Sequence, residues 1–292
     1  MPAVEPAVVT MVVAIVAKMR RLGAHVSIAG GLDQAVLRVK AMGGNAMQIF
    51  SSSPRIWLAP PLIYKEKVPF PTYIHAKYLV NLASDKKALE KISIKSLIHD
   101  LNVASAIGAE GVVVHLGSHQ GRGFTAVKDQ LIKNIKLILQ GSVGSSMFLI
   151  ENSAGQKGKI ASQLEEISLI LKAVNNGRLG WCLDTCHAWA AGYTAGEASG
   201  NALMENDIVK QAKSLKILDE LKIIHVNDSR DPFASGRDRH ENLGEGQMGL
   251  PVLSEYVNHP DLKHLPLILE VPGFDGFGPD KKNLEILKTL SD

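Results

Sequence analysis

Residues 111–115 read GVVVH and residues 147–151 read MFLIE, two short apolar runs that each end on one ionisable side chain. Both runs are continuously apolar rather than alternating, which is typical of parallel strands that are covered on both faces. The segment between them, AVKDQLIKNIKLILQG at 126–141, has the apolar spacing of an amphipathic helix. Together the three segments predict a strand, a helix and a second strand parallel to the first.

The same alternation extends along the chain in both directions. Helical patterns such as GGLDQAVLRVKAMG and SQLEEISLILKAVNNG separate apolar runs, and several end in glycine, which a helix C-terminus favours. No Pro-rich or Ser-rich linker interrupts the series. We therefore predict an α/β chain in which residues 21–292 form a single (β/α)8 TIM-barrel catalytic domain. The eight runs are LGAHVS near 22–27, AMQIF at 46–50, TYIH at 72–75, GVVVH at 111–115, MFLIE at 147–151, GWCLD at 180–184, KIIHV at 222–226 and LILE at 267–270.

Composition limits the class of protein. With 46% hydrophobic and 21% charged residues, the chain of 292 residues is globular rather than disordered. A formal net charge of +3 is too small to bind nucleic acid by overall charge, so any such contact must come from a local patch. Two cysteines cannot form a disulfide framework, and they indicate a reducing compartment.

The N-terminus carries an apolar run, AVVTMVVAIVAK at 7–18, that is too short to span a bilayer as a helix. Its order of charges is the reverse of a secretory signal, because Glu5 precedes the run and Lys18 and Arg20 follow it. We predict no export, and a cytoplasmic, nucleoid-associated location if the source is prokaryotic. Residues 1–20 are interpreted as an extension without a functional role.

A polar residue lies at or near the C-terminal end of nearly every apolar run. In a (β/α)8 barrel these ends meet at one rim, where the active sites of such barrels lie. Imidazoles and carboxylates gathered in a low dielectric need cations, and this mixed donor set suits Zn²⁺ or Mn²⁺. The ligands outnumber the needs of one tetrahedral ion, so two or three ions are predicted, an arrangement used for displacement at phosphorus. The residues are His25, Gln48 with Ser51, His75, His115, Glu151, Asp184, His225 and Glu270.

Two further segments add ligands to this rim. In WCLDTCHAWAAGY at 181–193, Asp184 and His187 are predicted to bind different ions, whereas Cys182 and Cys186 are interpreted as structural. The long polar loop HVNDSRDPFASGRDRHENLGEGQMG at 225–249 carries Asp238 and His240, an alternating pair that could supply two more ligands.

From about Arg21 to the C-terminus, the chain resembles the endonuclease IV family of apurinic/apyrimidinic (AP) endonucleases. The resemblance rests on the motifs GAHVSIAGGL, IHAKYLVNLAS, VVHLGSHQG, LIENSAGQ, CLDTCHAWAAGY, HVNDSRDPFASGRDRHENLGEGQMG and LILEVPG. It implies a TIM barrel that holds three zinc ions, with Mn²⁺ possible at one site. By the same resemblance the first zinc is held by His75, His115 and Glu151, the second by Glu151, Asp184, His225 and Glu270, and the third by His187, Asp238 and His240.

The activity that the resemblance implies is zinc-dependent cleavage of the phosphodiester bond 5′ to an abasic site in duplex DNA, which leaves a 3′-OH and a 5′-deoxyribose phosphate. We expect duplex DNA with abasic sites as the partner, a monomer, and neither a membrane nor an obligate protein partner. The residues expected to be catalytic are Glu151, His75, His115, Asp184 and Glu270. The residues expected to contact DNA are Arg55, Trp57, Tyr78, Leu79 and Arg239.

The sequence departs from the family between Trp57 and His75. The stretch LAPPLIYKEKVPFPTYI has four prolines and no helical apolar face, so the second outer helix is predicted to be missing or shortened. Two alternatives stay open. One is a xylose-isomerase-like sugar isomerase or epimerase with divalent metals, which would not need the group of His187, Asp238 and His240. The other is a metal-binding barrel without turnover.

Overall fold

A closed barrel of eight parallel strands is the centre of the computed structural model, which describes residues 20–57, 67–156, 158–196 and 206–291. In chain order the strands are β1 (Leu22–His25), β2 (Ala46–Phe50), β3 (Thr72–His75), β4 (Gly111–Val114), β5 (Met147–Glu151), β6 (Leu179–Asp184), β7 (Leu221–His225), β8 (Asp228–Ser229), β9 (His240–Glu241) and β10 (Leu267–Leu269). Strands β1 to β7 pair in sequence, and β10 pairs with both β7 and β1 to close the ring. The predicted (β/α)8 barrel is confirmed. Strands β8 and β9 form a separate antiparallel ribbon.

Helices surround the barrel. They are α1 (Leu32–Met42), α2 (Lys87–Ile107), α3 (Phe124–Gly141), α4 (Leu164–Val174), α5 (Thr185–Ala190), α6 (Ile208–Ser214), α7 (Gly249–Asn258) and α8 (Lys281–Ser291). Helices α1 and α2 end at Gly43 and Gly108, whose left-handed φ angles of 84° and 73° favour glycine. Helix α4 ends instead at Asn175 in the same conformation, two residues before the glycine expected from the pattern.

The connection between β2 and β3 contains no helix in its described parts, residues 51–57 and 67–71. This agrees with the prediction of a missing or shortened second outer helix, while residues 58–66 lie outside the described residues. The predicted N-terminal extension also lies outside them, apart from Arg20. No helix in the described ranges is both long enough and apolar enough to cross a membrane.

The barrel interior is filled by one buried side chain from most strands. Cys182 is fully buried in this layer, which agrees with its interpretation as a structural residue. Close approach of β1 and β2 depends on Gly23, because a Cβ there would lie 1.7 Å from the carbonyl oxygen of Ala46. The interior cluster consists of Ala46, Tyr73, Val113, Leu149, Cys182, Ile223 and Ile268.

Candidate metal centre

The C-terminal end of the barrel gathers the predicted ligands. His75, Glu151, Asp184 and His225 are the last residues of β3, β5, β6 and β7, and all four are buried. Parallel pairing sets Asp184 beside His225 in register. The structure brings all nine predicted ligands into groups in which the ligand atoms lie within 4.8 Å of one another.

The first group is built on one oxygen of Glu151. The Nε2 atoms of His75 and His115 lie 3.2 and 3.3 Å from Glu151 Oε2. Burial lowers the pKa of His115 to about 4, so this imidazole is neutral at pH 7 and has a lone pair to offer. The group therefore has the donor atoms for one metal ion.

The second group uses the other oxygen of Glu151. His225 Nδ1 lies 3.1 Å from Glu151 Oε1, 3.2 Å from Glu270 Oε2 and 3.9 Å from Asp184 Oδ2. Burial opposes the ionisation of Glu270, but His225 outweighs it and holds the pKa of this carboxyl well below its usual value. Because its two oxygens face different groups, Glu151 can bridge two ions.

The third group lies at the outer edge of the rim. His187 Nε2 and His240 Nε2 are 3.0 and 3.5 Å from Asp238 Oδ1. Burial lowers the pKa of His187, but Asp184 and Asp238 outweigh this effect and hold it well above its usual value. His240 Nε2 is buried and has no hydrogen-bond partner among the described residues. A buried acceptor nitrogen without a hydrogen-bond partner is suited to binding a metal ion.

Local structure explains the spacing of Asp184 and His187. Asp184 is the N-cap of α5, and its Oδ1 accepts a hydrogen bond of 2.7 Å from the backbone N–H of His187. Its Oδ2 accepts a hydrogen bond of 2.7 Å from Asn227 Nδ2. One short turn therefore carries ligands for two groups. The ribbon of β8 and β9 pairs Ser229 with His240, which anchors the loop carrying Asp238 over the barrel end.

The hydrogen bonds around the histidines test whether the residues fit metal ions. In four of them one nitrogen, here called the outward one, lies close to an oxygen that is not among the proposed ligand atoms, which places the hydrogen on that nitrogen. The inward nitrogen then faces carboxylate oxygens, an arrangement that needs either a proton, as the raised pKa of His187 indicates, or a metal ion between the two. Imidazoles and carboxylates together suit Zn²⁺ or Mn²⁺, so the residues fit. The outward pairs are His75 Nδ1 with Ala76 O at 2.7 Å, His187 Nδ1 with Asn152 O at 3.0 Å, His225 Nε2 with Gln48 Oε1 at 2.9 Å and His240 Nδ1 with Glu270 O at 3.2 Å.

The two cysteines lie close to these groups. Cys182 is near Glu151 and His225, and Cys186 is near Asp184 and His240. Burial raises the pKa of both thiols to about 12, so both are neutral at pH 7. Their buried, uncharged state agrees with a structural role.

A groove of about 940 Å³ opens beside the cluster and is lined by Arg55, Tyr78 and Phe277 as well as by His240 and Glu270. Tyr78 is 61% exposed, and its ring packs edge-on at 5.7 Å from that of His75. Phe277 lines the same groove and is 93% exposed. Arg55 and Tyr78, which are both expected to contact DNA, thus lie where the cluster meets solvent.

The other three residues expected to contact DNA have different surroundings. Leu79 is half-buried beside Tyr78. Trp57 is half-buried and packs against the hydrophobic core, which gives it a packing role. The side chain of Arg239 is 62% exposed, and its Nε lies 3.8 Å from Asp231 Oδ2.

Sequence reasoning placed Gln48 at the rim but missed the two asparagines behind the ligands. Asn152 and Asn227 both hydrogen-bond Asp184, and Gln48 contacts two ligands at once. Their positions in the sequence could have revealed these two asparagines, because Asn152 follows Glu151 directly and Asn227 comes two residues after His225.

Comparison with known proteins assigns the chain to a family. A family model described as "Xylose isomerase-like TIM barrel" matches residues 36–290. A protein of Halothermothrix orenii named "Probable endonuclease 4" is 38% identical over 280 residues, which span 92% of this chain and 99% of the relative. The chain belongs to the endonuclease IV family. The resemblance stated from the motifs is confirmed, and so is the prediction of an endonuclease.

Structural comparison agrees with the endonuclease IV family. The crystal structure of endonuclease IV from Thermus thermophilus is 32% identical, with a TM-score of 0.76 over 92% of this chain and 98% of that chain. A "D-tagatose 3-epimerase-like protein" is 18% identical, with a TM-score of 0.65 over 92% of this chain and 96% of that one. The second likeness concerns the fold alone.

Proposed function

We propose that this member of the endonuclease IV family cleaves the phosphodiester bond 5′ to an abasic site in duplex DNA and leaves a 3′-OH and a 5′-deoxyribose phosphate. The observation that carries the proposal is the meeting of nine imidazoles and carboxylates, in three groups linked through Glu151 and Asp184, beside an open groove. The group of His187, Asp238 and His240 favours this activity over sugar isomerisation, because an isomerase does not need a third ion.

We assign three metal ions to the three groups. Zn²⁺ is the proposed ion, with Mn²⁺ as an alternative at one site. When bound, such ions supply Lewis-acid chemistry for the hydrolysis of a phosphodiester and stabilise the charge that develops on its oxygens. The ligands would be His75, His115 and Glu151 for the first, Glu151, Asp184, His225 and Glu270 for the second, and His187, Asp238 and His240 for the third.

The chain's own residues prepare this centre. Neighbouring imidazoles hold the pKa of Glu151 and of Glu270 well below the usual value although both are buried, so both stay ionised, and the outward hydrogen bonds of His75 and His187 direct the other ring nitrogens at the cluster. Helix α5 and the ribbon of β8 and β9 hold the third group against the first two. The ligands therefore need little rearrangement before they can bind ions.

DNA contact is assigned to the groove. Arg55 is exposed there and can neutralise a backbone phosphate, while the exposed ring of Tyr78 can contact the sugar or a neighbouring base. A nucleotide without a base is the easiest to draw out of the stack, because no base has to be unstacked. We assign all of these functions to residues 21–292 of a monomer and none to residues 1–20.

A nicking assay tests the proposal. The purified protein is incubated with an end-labelled duplex that contains one synthetic abasic site, and with a matched duplex that has a normal nucleotide there. We expect one nick 5′ to the lesion, a 3′ end that a DNA polymerase can extend, loss of activity with a chelator, and recovery with Zn²⁺. Sugar isomerisation without nicking, or bound metal without either activity, would contradict the proposal.

A further inference from the structure

Gln48 lies in β2 with its amide group between two of the proposed ligands. The side chain is fully buried. Its Oε1 lies 2.9 Å from His225 Nε2, and its Nε2 lies 2.5 Å from Glu270 Oε1 and 3.0 Å from His25 Nδ1. One amide thus contacts both an imidazole and a carboxylate of the second group.

Chemistry fixes the direction of this amide. An ionised carboxylate only accepts hydrogen bonds, so the NH₂ end of Gln48 must face Glu270 and the oxygen must face His225. His225 therefore donates from Nε2, which leaves the Nδ1 lone pair directed at the carboxylates of the cluster. The reverse orientation would set the amide oxygen against a carboxylate oxygen.

The same contact positions Glu270. Gln48 binds Oε1 of this carboxylate, so Oε2 is the oxygen left beside His225 Nδ1, at 3.2 Å. The other outward acceptors described above are backbone carbonyl oxygens of Ala76, Asn152 and Glu270. Among these outward hydrogen bonds, that of Gln48 is the one that a side-chain substitution can remove.

We propose that Gln48 is a positioning residue of the second metal group, which fixes the hydrogen of His225 on Nε2 and selects the oxygen of Glu270 that binds. This inference rests on the metal centre assigned under the proposed function. Partners of this kind typically contribute about 10–100-fold to metal affinity. Gln48 touches ligands rather than substrate, so its loss should first weaken metal binding and only thereby reduce nicking.

The test compares Gln48→Met with a matched control. Methionine has a similar length, but its sulfur accepts a hydrogen bond from His225 only weakly and it cannot donate one to Glu270. We expect one of the bound ions to be held about 10–100-fold more weakly in competition with a chelator, and the visible absorption of the Co²⁺-loaded protein to change. The control is Asn134→Leu, since Asn134 is also a buried amide and donates bonds of 2.9 Å to Leu82 O and to Glu90 Oε1, away from the cluster. It should lower the melting temperature without changing metal affinity.

A measurement on the unmodified protein covers the case in which the methionine variant does not fold. In the Zn²⁺-loaded protein, ¹⁵N NMR of the histidine side chains should show His225 with its hydrogen on Nε2. A hydrogen on Nδ1, or wild-type metal affinity and an unchanged Co²⁺ spectrum in the methionine variant, would overturn the role of Gln48 while the proposed function stands. If the unmodified protein binds no stoichiometric metal, the proposed centre fails and the role of Gln48 fails with it.

Discussion

The two mouths of the barrel use similar side chains in opposite ways. At the N-terminal mouth the chain balances its own charges, because Glu110 accepts a hydrogen bond from the hydroxyl of Tyr73 and lies 3.5 Å from the guanidinium of Arg21. At the C-terminal mouth, Glu151 and Glu270 face Nδ1 of His225, whose other nitrogen, Nε2, hydrogen-bonds Gln48. The carboxylate at the N-terminal mouth has a cation of the chain beside it, whereas those at the C-terminal mouth can bind metal cations.

The largest effect that follows from this contrast is expected at Glu151. Glu151→Gln keeps the shape of the side chain but removes the charge that two groups share. We expect the nicking rate to fall about a thousandfold or more, because loss of metal-held charge stabilisation removes several kcal/mol from catalysis. The measurement is single-turnover nicking together with metal content. A variant that nicks at the wild-type rate would show that the bridging role is wrong.

A smaller effect is expected at the third group. His240→Ala removes one ligand from a group that shares no carboxylate oxygen with the first, so we expect one ion to be lost while the other two stay bound. Nicking should fall about 10–100-fold, since metal and charge positioning are each worth a few kcal/mol. Elemental analysis and nicking rates check this. Loss of all the metal, or of none, would contradict the assignment of a separate ion to the third group.

Asp100 extends the comparison with the proposed metal ligands, because it is a buried carboxylate that belongs to none of the three groups. Ser51 donates a hydrogen bond of 2.5 Å to its Oδ1, and burial raises its pKa to about 6. The folded protein then binds this proton more tightly than the unfolded chain does, so the contribution of Asp100 to stability is fully present below about pH 4 and is lost as the pH rises through about 6. The loss is on the order of 3 kcal/mol.

Asp100→Asn removes this titration. We expect the free energy of unfolding of the chelator-treated variant to lose this part of its pH dependence between pH 4 and pH 6.5, in denaturant titrations at several pH values. Asp100 Oδ2 has no hydrogen-bond partner among the described residues, so the amide breaks no hydrogen bond at that position. A wild-type pH profile in the variant would mean that Asp100 stays ionised.

The smallest effect is expected at the N-terminal mouth. Tyr73→Phe removes the hydrogen bond to Glu110 but leaves Arg21 beside that carboxylate. We expect a loss of about 1–2 kcal/mol in the free energy of unfolding and an unchanged nicking rate. Chemical denaturation and the nicking assay together check this. A fall in nicking as large as that at His240 would remove the distinction between the two mouths.

Much of the barrel was predictable from the sequence, because apolar residues recur with a different spacing in strands than in helices. The bounds of β2, β3 and β5 agree with the predicted runs at both ends. Convergence of the six predicted ligands at or next to strand ends was predictable for a topological reason, since all parallel strands of a closed barrel end at one rim. Residues as distant as His75 and Glu270 could therefore be grouped from their positions at strand ends.

The remainder depends on contacts that a local pattern does not encode. Helix α2 begins at Lys87, although Ile92 and Ile94 in its first turns favour a strand locally. There Glu90 accepts hydrogen bonds from Gln130 and Asn134 of α3, and this tertiary contact outweighs propensity. The ribbon of β8 and β9 has two residues in each strand, too few for any periodicity.

Closure of the barrel by β10 has a consequence for synthesis of the protein. The proposed ligands begin at His75, but Glu270 follows the final strand, which must insert between β7 and β1 before the second group is complete. A polypeptide still emerging from the ribosome, or one cut short before residue 270, cannot assemble this group. Such unfinished copies are therefore expected to lack the complete centre that the proposed cleavage requires.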